Sequence, residues 1–457
     1  MDPFPRESVV RLRRRRRPLS PAQLIVVSFA AAVAFGTLLL RLPIAHAEPG
    51  AIGWLEAFFT ATSAVCVTGL VVVDTGSDFT TFGQAVILLL IQAGGLGILT
   101  AGTLLALIMG RRLGFRHRLN LQTQLSALQV GGVVRLVRTM LALVFGVELL
   151  GALLLYVPMA AREGWGPGGW QAVFHSVSAF NNAGFSLYAD SLTSYVADPV
   201  VNLVVMALVV LGGLGFVVVV NLIARYRQAE RTPVSLHTKL ALSATAVLIG
   251  AATVVILVLE WTNPLTLGAL SWPTRLLAAL FQAVTPRTAG FNTLDYSLMT
   301  EGALIITMAL MFIGGNPGST AGGIKTVTFV VLVGSAWSLS RGRGELDVFG
   351  RRIPLAIAVR AGVITLISFM IVAAGLTLLA ITDPELGTLR LIFETFSAFG
   401  TVGLSMGLTP DLSPGGKLIV IALMFVGRLG PLTIALALVE APPDTRIQHP
   451  AENVVVG

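Results

Sequence analysis

The sequence contains little of what a soluble enzyme or a disulfide-rich domain needs. Its single cysteine excludes an intrachain disulfide, its five histidines leave few metal ligands, and charged residues make up only 12% of 457 positions. Apolar side chains make up 55%, and the mean hydropathy is +0.84, more than one soluble core can bury. The chain is therefore predicted to be an all-α, multi-pass membrane protein without a separate soluble domain.

The formal charge of +8 is distributed unevenly along the chain. Basic residues concentrate in four short segments between hydrophobic runs, at 11–17, 111–118, 225–231 and 341–352, whereas the alternate connections hold few Lys or Arg. This alternation follows the positive-inside rule and places the four segments and both termini in the cytoplasm. The Arg run at 13–17 is interpreted as a topology determinant that contacts membrane lipids, in preference to a nucleic-acid site.

The first hydrophobic run resembles a secretory signal peptide in one respect. Arg-rich residues precede an apolar run at 24–40, and Ala45-His46-Ala47 imitates a cleavage site. The run is longer than the roughly 7–15 residues of a signal-peptide core. We therefore interpret it as the first membrane helix.

A fourfold repeat organises the chain. Four segments align on one glycine: FTATSAVCVTGL, FHSVSAFNNAGF, LFQAVTPRTAGF and FETFSAFGTVGL. The aligned glycines are Gly69, Gly184, Gly290 and Gly403. Apolar runs precede each segment, at 22–42, 139–159, 240–260 and 355–381, and follow it, at 82–109, 199–223, 302–337 and 417–439.

Each repeat is interpreted as a helix, a short half-helix, an extended loop and a second helix. Half-helices such as 54–64 and 169–179 are too short to span, so each must enter from the outer face and return. The predicted fold has eight transmembrane helices and four re-entrant half-helices in pseudo-symmetric repeats around a central pore. The predicted units are an N-terminus (1–20), four repeats (21–110, 135–225, 238–340 and 353–440) and a C-terminus (441–457).

Loops at membrane depth are tolerated where they line a watery path. Glycine permits backbone angles that turn carbonyl oxygens toward that path, and half-helix C-termini favour a cation there. Close helix packing is the alternative reason for one such glycine, but four equivalent copies favour a filter. The predicted filter residues are Cys66, Val67, Thr68, Gly69, Asn181, Asn182, Ala183, Gly184, Thr288, Ala289, Gly290, Gly400, Thr401, Val402 and Gly403.

These segments resemble the pore loops of the Trk/Ktr/HKT superfamily of potassium transporters, and most specifically its KtrB-like membrane subunits. TPRTAGFNT and the segment GGNPGSTAGGIKT at 314–326 carry the most specific likeness, which covers residues 20–440. Four glycines at the filter positions imply potassium in that family, whereas serine at the first is associated with sodium. Arg287, three residues before Gly290, is expected to turn behind its loop as an anchor.

The run at 302–337 must break, because a straight helix would be about 54 Å long. The resemblance makes the break at 314–325 a gate, formed by Gly314, Gly315, Asn316, Pro317, Gly318, Ser319, Thr320, Ala321, Gly322, Gly323 and Lys325, together with Arg428. A static kink is the alternative. A nucleotide P-loop is rejected, because Ile324 interrupts the motif and no soluble strand precedes it.

Arg428 lies near the middle of an apolar run, where a charge is costly. It is expected to face the pore, with an ion pair to Glu148 as the alternative. His175 and Glu394 are expected to be buried hydrogen-bonding residues, and the Gly-Gly-Leu-Gly segments at 94–97 and 212–215 to be packing or bending sites. No cluster of acid-base or metal-binding side chains indicates an enzyme.

The predicted function is the ion-translocating subunit of a potassium uptake system. An inverted-repeat secondary transporter or a sodium-selective relative is the alternative. The resemblance implies K⁺ as the transported ion, Na⁺ as a possible activator, and no cofactor in this chain. It also implies a homodimer docked on a cytosolic, nucleotide-binding regulatory subunit (a KtrA-like RCK ring), in the inner membrane of a prokaryote.

Overall fold

The computed structural model describes residues 21–48, 50–97, 133–227 and 234–430. The predicted basic segments at 11–17 and 111–118 lie outside these ranges, as do both predicted terminal units (1–20 and 441–457). Part of the basic segment at 225–231 and the far ends of the predicted helices 82–109 and 417–439 also lie outside them.

The helix that opens each repeat is long, apolar and continuous. These pre-loop helices are Pro21–Leu40, Val133–Glu163, Leu236–Glu260 and Leu355–Thr382. Within the described ranges they are the four single helices that are long and apolar enough to cross a bilayer. The predicted membrane class and these four spans therefore agree with the structure.

A shorter helix follows in each repeat and packs against the pre-loop helix. These half-helices are Trp54–Val65, Trp165–Phe180, Trp272–Val284 and Thr388–Gly400. At 12–16 residues, none matches the roughly 20 residues of a spanning helix. The second half-helix begins four residues before the predicted boundary at 169, because Gly164 lets the chain turn directly from the pre-loop helix.

The helix after each glycine loop begins at a capped residue. These post-loop helices are Thr81–Leu96, Pro199–Leu214, Glu301–Phe312 and Pro414–Leu429. Side chains of the preceding residues, Thr80, Asp198, Thr300 and Ser413, accept hydrogen bonds from first-turn amides. The cap explains why each helix begins where the extended loop ends.

The second and third post-loop helices are shorter than their apolar runs. The second breaks at Gly215, and the next helix, Phe216–Arg227, leaves at 95°. The third ends at Phe312 and resumes as Thr326–Ser340, so the predicted break lies where the sequence placed it. The prediction of eight spanning helices stays a prediction, because four described helices, or five with the bent pair, have the required length and apolarity.

A β-hairpin joins the third and fourth repeats. Strands Leu346–Val348 and Arg351–Ile353 pair antiparallel, and all but Ile353 belongs to the predicted basic segment 341–352. Phe349 and Gly350 both have positive φ, as a two-residue hairpin turn requires.

Buried apolar side chains form four main clusters, each contributed largely by one repeat. Phe59, Phe174, Phe281 and Phe393, one from each half-helix, are almost completely buried. The half-helices thus lie inside the molecule, where their C-terminal ends hold the glycine loops.

Candidate functional site: a ring of four glycine loops

The four aligned glycines lie against one another in a closed ring. A Cβ atom added to Gly69 would lie 3.0 Å from the Cα atom of Gly184, and one added to Gly184 would lie 2.8 Å from that of Gly290. One added to Gly290 would lie 3.3 Å from the Cα atom of Gly403, and one added to Gly403 would lie 3.1 Å from that of Gly69. No side chain fits at these positions without moving the neighbouring loop.

The carbonyl oxygen immediately before each glycine faces the glycine of an adjacent loop. An added Cβ at Gly69 would collide with the oxygen of Ala183, and one at Gly290 with that of Val402. The oxygens of Ala289 and Thr68 face Gly184 and Gly403 in the same way. Four main-chain oxygens, one from each repeat, therefore lie between adjacent loops of the ring.

Each loop reaches its glycine through the same backbone geometry. The four glycines have φ between +71° and +93°, and the residues two positions earlier have φ between +49° and +76°. These earlier residues are Val67, Asn182, Thr288 and Thr401. A non-glycine residue in the left-handed region costs roughly 1–3 kcal/mol, most for a β-branched side chain. The same strained pattern in four loops indicates a shared geometric requirement at the ring.

A hydroxyl at the end of each half-helix holds the loop in place. Ser63 and Ser397 accept hydrogen bonds from the amides of Gly69 and Gly403, at 3.1 and 3.2 Å. In the other two loops the hydroxyl donates to a carbonyl beyond the glycine, from Ser178 to Phe185 and from Thr285 to Phe291.

Arg287 points away from the ring, as the sequence predicted. Its guanidinium donates to the hydroxyls of Thr245 and Thr326, at 3.3 and 3.0 Å. Thr326 in turn donates to the carbonyl of Gly314 at 2.7 Å, so the arginine connects the third glycine loop to the base of the 314–325 loop.

Several buried oxygens beside the ring have no protein partner. Among the described residues, the hydroxyls of Thr68, Thr288 and Thr401 make no hydrogen bond. Buried polar atoms without partners are rare in folded proteins. Neutral oxygen ligands of this kind suit a dehydrated monovalent cation, which needs several weak oxygen ligands.

A cavity of about 630 Å³ opens at the ring, and no residue of the 314–325 loop lines it. All four ring glycines line it, together with the carboxylates of Asp74, Asp190 and Asp295. These aspartates follow their glycines by five or six residues in the first three repeats, and in the fourth Thr409 lines the cavity instead. A cleft lined by one sign of charge raises the local concentration of the opposite ion.

The 314–325 loop leaves and rejoins the third post-loop helix at one point. Ile313 and Ile324 form an isolated parallel bridge, in which the amide of Gly314 donates to the Ile324 carbonyl at 2.8 Å. Gly318 and Gly323 have positive φ. The chain therefore leaves the helix at Ile313 and returns to the same place at Ile324, between the two helical halves.

The loop is hydrogen-bonded to the broken end of the second repeat. The amides of Asn316 and Thr320 donate to the carbonyls of Gly213 and Gly212, at 3.0 and 3.3 Å. The amide of Phe216, immediately after the 95° break, donates to the Gly318 carbonyl at 3.0 Å.

Two cationic side chains also hold the loop. Lys325 donates to the carbonyl of Ala321 at 2.6 Å. Arg428 donates to the carbonyls of Thr320 and Gly94, the latter at 2.6 Å. The alternative ion pair between Arg428 and Glu148 is not formed among the described residues.

One side-chain contact joins a ring loop to the 314–325 loop directly. The side chains of Asn182 and Thr320 are hydrogen-bonded at 2.9 Å. The Asn182 nitrogen donates to the Val209 carbonyl, and its oxygen accepts from the Gly213 amide and from the Thr320 hydroxyl. The sequence did not indicate this contact, since the two residues are 138 positions apart.

Two ionisable half-helix residues, His175 and Glu394, are buried and hydrogen-bonded, as expected. His175 contacts the Gln171 carbonyl and the Ser186 hydroxyl. Glu394 accepts from the hydroxyls of Ser405 and Thr409. In the part of the chain that the structure describes, no three His, Cys, Asp or Glu side chains are placed to hold a metal ion.

Two features of the site were missed in the sequence. The sequence did not indicate the left-handed backbone angles two residues before each ring glycine, because Val and Thr normally avoid the left-handed region. The lining aspartates could have been found by continuing the repeat alignment five or six residues beyond each glycine.

Comparison with known proteins supplies independent information. Residues 14–449 match the family model described as TrkH, cation transport protein. The chain is 44% identical over 438 residues to the Ktr system potassium uptake protein B of Bacillus subtilis, covering 96% of this chain and 97% of that protein. It is 38% identical over 450 residues to the potassium/sodium uptake protein NtpJ of Enterococcus hirae, covering 97% and 99%.

A solved structure has the same fold. The crystal structure of the potassium transporter TrkH from Vibrio parahaemolyticus superposes with a TM-score of 0.73 at 18% sequence identity, covering 93% of this chain and 86% of that one. At this identity the likeness concerns the fold alone.

Proposed function

Because the chain belongs to the TrkH family of cation transport proteins, we propose that it is the ion-translocating membrane subunit of a potassium uptake system. The Bacillus subtilis relative, at 44% identity over nearly the whole chain, is named as a potassium uptake protein. The family is a transport family, so no catalytic residue is proposed.

The observation that carries this proposal is the closed ring of four glycines, in which one carbonyl oxygen from each loop lies against the glycine of an adjacent loop. Carbonyl dipoles can replace the hydration shell of an alkali cation without a fixed negative charge. The predicted filter residues at 66–69, 181–184, 288–290 and 400–403 surround this ring. In the proposed mechanism K⁺ collects in the acidic cavity, loses water in the ring and passes toward the 314–325 loop.

The 314–325 loop is proposed as the gate. It is rich in glycine, it interrupts a membrane helix, and its carbonyl at Thr320 accepts from Arg428. Opening the path requires breaking the hydrogen bond from Arg428 and the one between Thr320 and Asn182, which hold the loop beneath the ring. A static kink would not need a cationic side chain from another repeat.

A path that also accepts sodium is the second candidate, since the Enterococcus hirae relative is named as a potassium/sodium uptake protein. All four ring positions are glycine, which favours potassium. The inverted-repeat alternative is less well supported, because the four loops share one backbone geometry and contact one another in cyclic order.

The test is K⁺, Rb⁺ and Na⁺ uptake by the purified protein in liposomes. Gly69→Ser should lower the K⁺ over Na⁺ preference on the order of tenfold, because a side chain at φ +93° is strained and meets the adjacent loop. Arg428→Ala should raise flux, since two hydrogen bonds holding the loop are lost. If neither variant changed ion preference or flux, the assignment of ring and gate would be wrong.

We further propose that two copies of the chain assemble with a cytosolic nucleotide-binding regulatory subunit. The relatives named as parts of a Ktr system support a system of several components. The exposed hairpin arginines Arg351 and Arg352 lie on the side that such a partner would contact. Their replacement by Glu should weaken co-purification with a regulatory subunit.

A further inference from the structure

One buried carboxylate near the ring has no part in the mechanism above. Glu148 lies in the apolar pre-loop helix Val133–Glu163, with only 4% of its surface exposed. An acidic side chain inside a membrane helix is costly, and its retention points to a functional interaction with a specific partner.

The partners of Glu148 are two amides from other elements. Asn181, the first residue of the second glycine loop, donates to one carboxylate oxygen at 2.9 Å. Gln92, from the first post-loop helix, donates to the other at 3.2 Å. Asn181 also donates to the side-chain oxygen of Gln92 at 2.7 Å, which closes a triangle of three side chains.

The triangle supports the loop at a strained position. Asn181 caps the second half-helix, and the next residue, Asn182, has a φ of +59°. The carbonyl of Ala183 then faces the ring. A further hydrogen bond connects the two helices at the same place: the Ser176 hydroxyl, in the half-helix, donates to the main-chain carbonyl of Glu148 at 2.6 Å.

A carboxylate suits this place better than an amide would. Both of its oxygens accept hydrogen bonds from side-chain N–H groups, one from Asn181 and one from Gln92. A glutamine side chain at this position would place its NH₂ group opposite one of these N–H donors. That donor would then have no acceptor. Among the described residues, Glu148 has no Lys or Arg partner, so its interactions are directed to the loop and to Gln92.

We propose that Glu148 is a positioning residue that, through Asn181, sets the cation affinity and the K⁺ over Na⁺ discrimination of the second glycine loop. The proposal rests on the proposed function, since it assigns a determinant of the same path. It predicts an effect on ion preference from a side chain that does not itself line the ring.

The test compares Glu148→Gln with wild type in the liposome uptake assay. The apparent KM for K⁺ should rise on the order of tenfold with a smaller change in maximal rate, because a charged hydrogen-bond acceptor is lost. The K⁺ over Na⁺ preference should fall in parallel. A purely structural role would lower the amount of folded protein and leave both quantities unchanged.

Glu260→Gln is the matched control. Glu260 is another buried glutamate and is the last residue of its pre-loop helix, where it accepts from Asn263, Thr266 and Thr300, none of which is a predicted filter residue. This variant is expected to lower thermal stability and to keep the wild-type K⁺ over Na⁺ preference.

A double-variant cycle tests the route through Asn181. Asn181→Ala should shift KM in the same direction, and adding Glu148→Gln should change it little further. Additive effects, or a folded Glu148→Gln protein with wild-type KM and preference, would overturn the proposal. If Glu148→Gln does not fold, Gln92→Met removes the adjoining amide and must show the same shift. Absence of K⁺ uptake by the wild type would contradict the proposed function instead.

Discussion

Glycine has two separate roles at the residue scale. In the ring it leaves space for the neighbouring loop, whereas in the post-loop helices it allows a half-helix carbonyl to approach. Added Cβ atoms at Gly94, Gly212 and Gly427 would collide with the carbonyls of Val65, Phe180 and Phe399, each four residues before its ring glycine. The half-helices can therefore end directly against the helices that follow them.

Gly427→Ala tests the packing role. The added carbon would lie 2.8 Å from the Phe399 carbonyl carbon, and overpacking of this kind typically costs about 1–3 kcal/mol. The variant should lose monodispersity at a lower temperature than wild type when heated in detergent and analysed by size exclusion.

Gly146→Ala is the control for that experiment. Gly146 lies in the second pre-loop helix, and an added Cβ there meets no atom within 4 Å. Since alanine is the better helix former, this variant should melt at the wild-type temperature or above it. A Gly427→Ala protein as stable as Gly146→Ala would contradict the packing explanation.

Arg428 occupies a position that the other repeats give to glycine. It aligns with Gly95, Gly213 and Gly315, and in all four repeats the residue immediately before this position is glycine. Only one repeat therefore places a long side chain at this level, and that side chain reaches the 314–325 loop.

At the element scale, three post-loop helices end in the same way. Gly97, Gly215 and Gly430 follow their last helical residues, with φ between +76° and +88° and ψ between 138° and 142°. Only glycine readily adopts this conformation. The third helix ends instead at Phe312 and continues through Ile313 into the 314–325 loop. The sequence predicted a break in the third repeat and packing or bending sites at 94–97 and 212–215, and the structure has a break in the third repeat and a second one at Gly215. The residues that follow Gly97 and Gly430 lie outside the described ranges.

Thr320→Val tests the connection between the ring and this loop. It removes the hydroxyl that is hydrogen-bonded to the Asn182 side chain while keeping the size of the side chain. The loss of one hydrogen bond, worth about 1 kcal/mol, should raise basal Rb⁺ efflux from liposomes up to about fivefold, because the closed loop is less stable.

Thr320→Ser keeps the hydroxyl and should behave more like wild type than Thr320→Val does. Equal efflux from the two variants would show that the Asn182 hydrogen bond does not hold the loop closed.

At the scale of the whole molecule, the acidic cavity should act through its electric field. Replacing Asp74, Asp190 and Asp295 together by Asn keeps their hydrogen-bond acceptors and removes their charge. The apparent KM for Rb⁺ should rise several-fold at low ionic strength, because less cation accumulates at the ring.

The same effect should shrink in about 0.3 M choline chloride, since the Debye length is already about 10 Å at 0.1 M salt. Asp347→Asn, at an exposed aspartate on the hairpin between the third and fourth repeats, is the control and should show no change in KM. A salt-independent effect of the triple variant would point to altered loop structure instead of a field.

The sequence by itself determined the membrane class, the four glycine segments and the break at 314–325. Each depends on local chemistry. The length of the apolar runs gives the membrane class, and a glycine at a constant place in each repeat identifies the four segments. The break follows because several glycines and a proline cannot continue a helix. The alignment also identified Arg428 and Arg287 as the unusual charges.

The tertiary structure decided which atoms meet. The cyclic contact of the ring glycines, the Asn182–Thr320 hydrogen bond and the Glu148–Asn181–Gln92 triangle join residues from different repeats. Hydrophobic periodicity fixes the length of a helix but not its neighbours. The packing of the four repeats against one another sets these contacts, because only there do the half-helix ends, the broken helices and the buried polar groups satisfy one another.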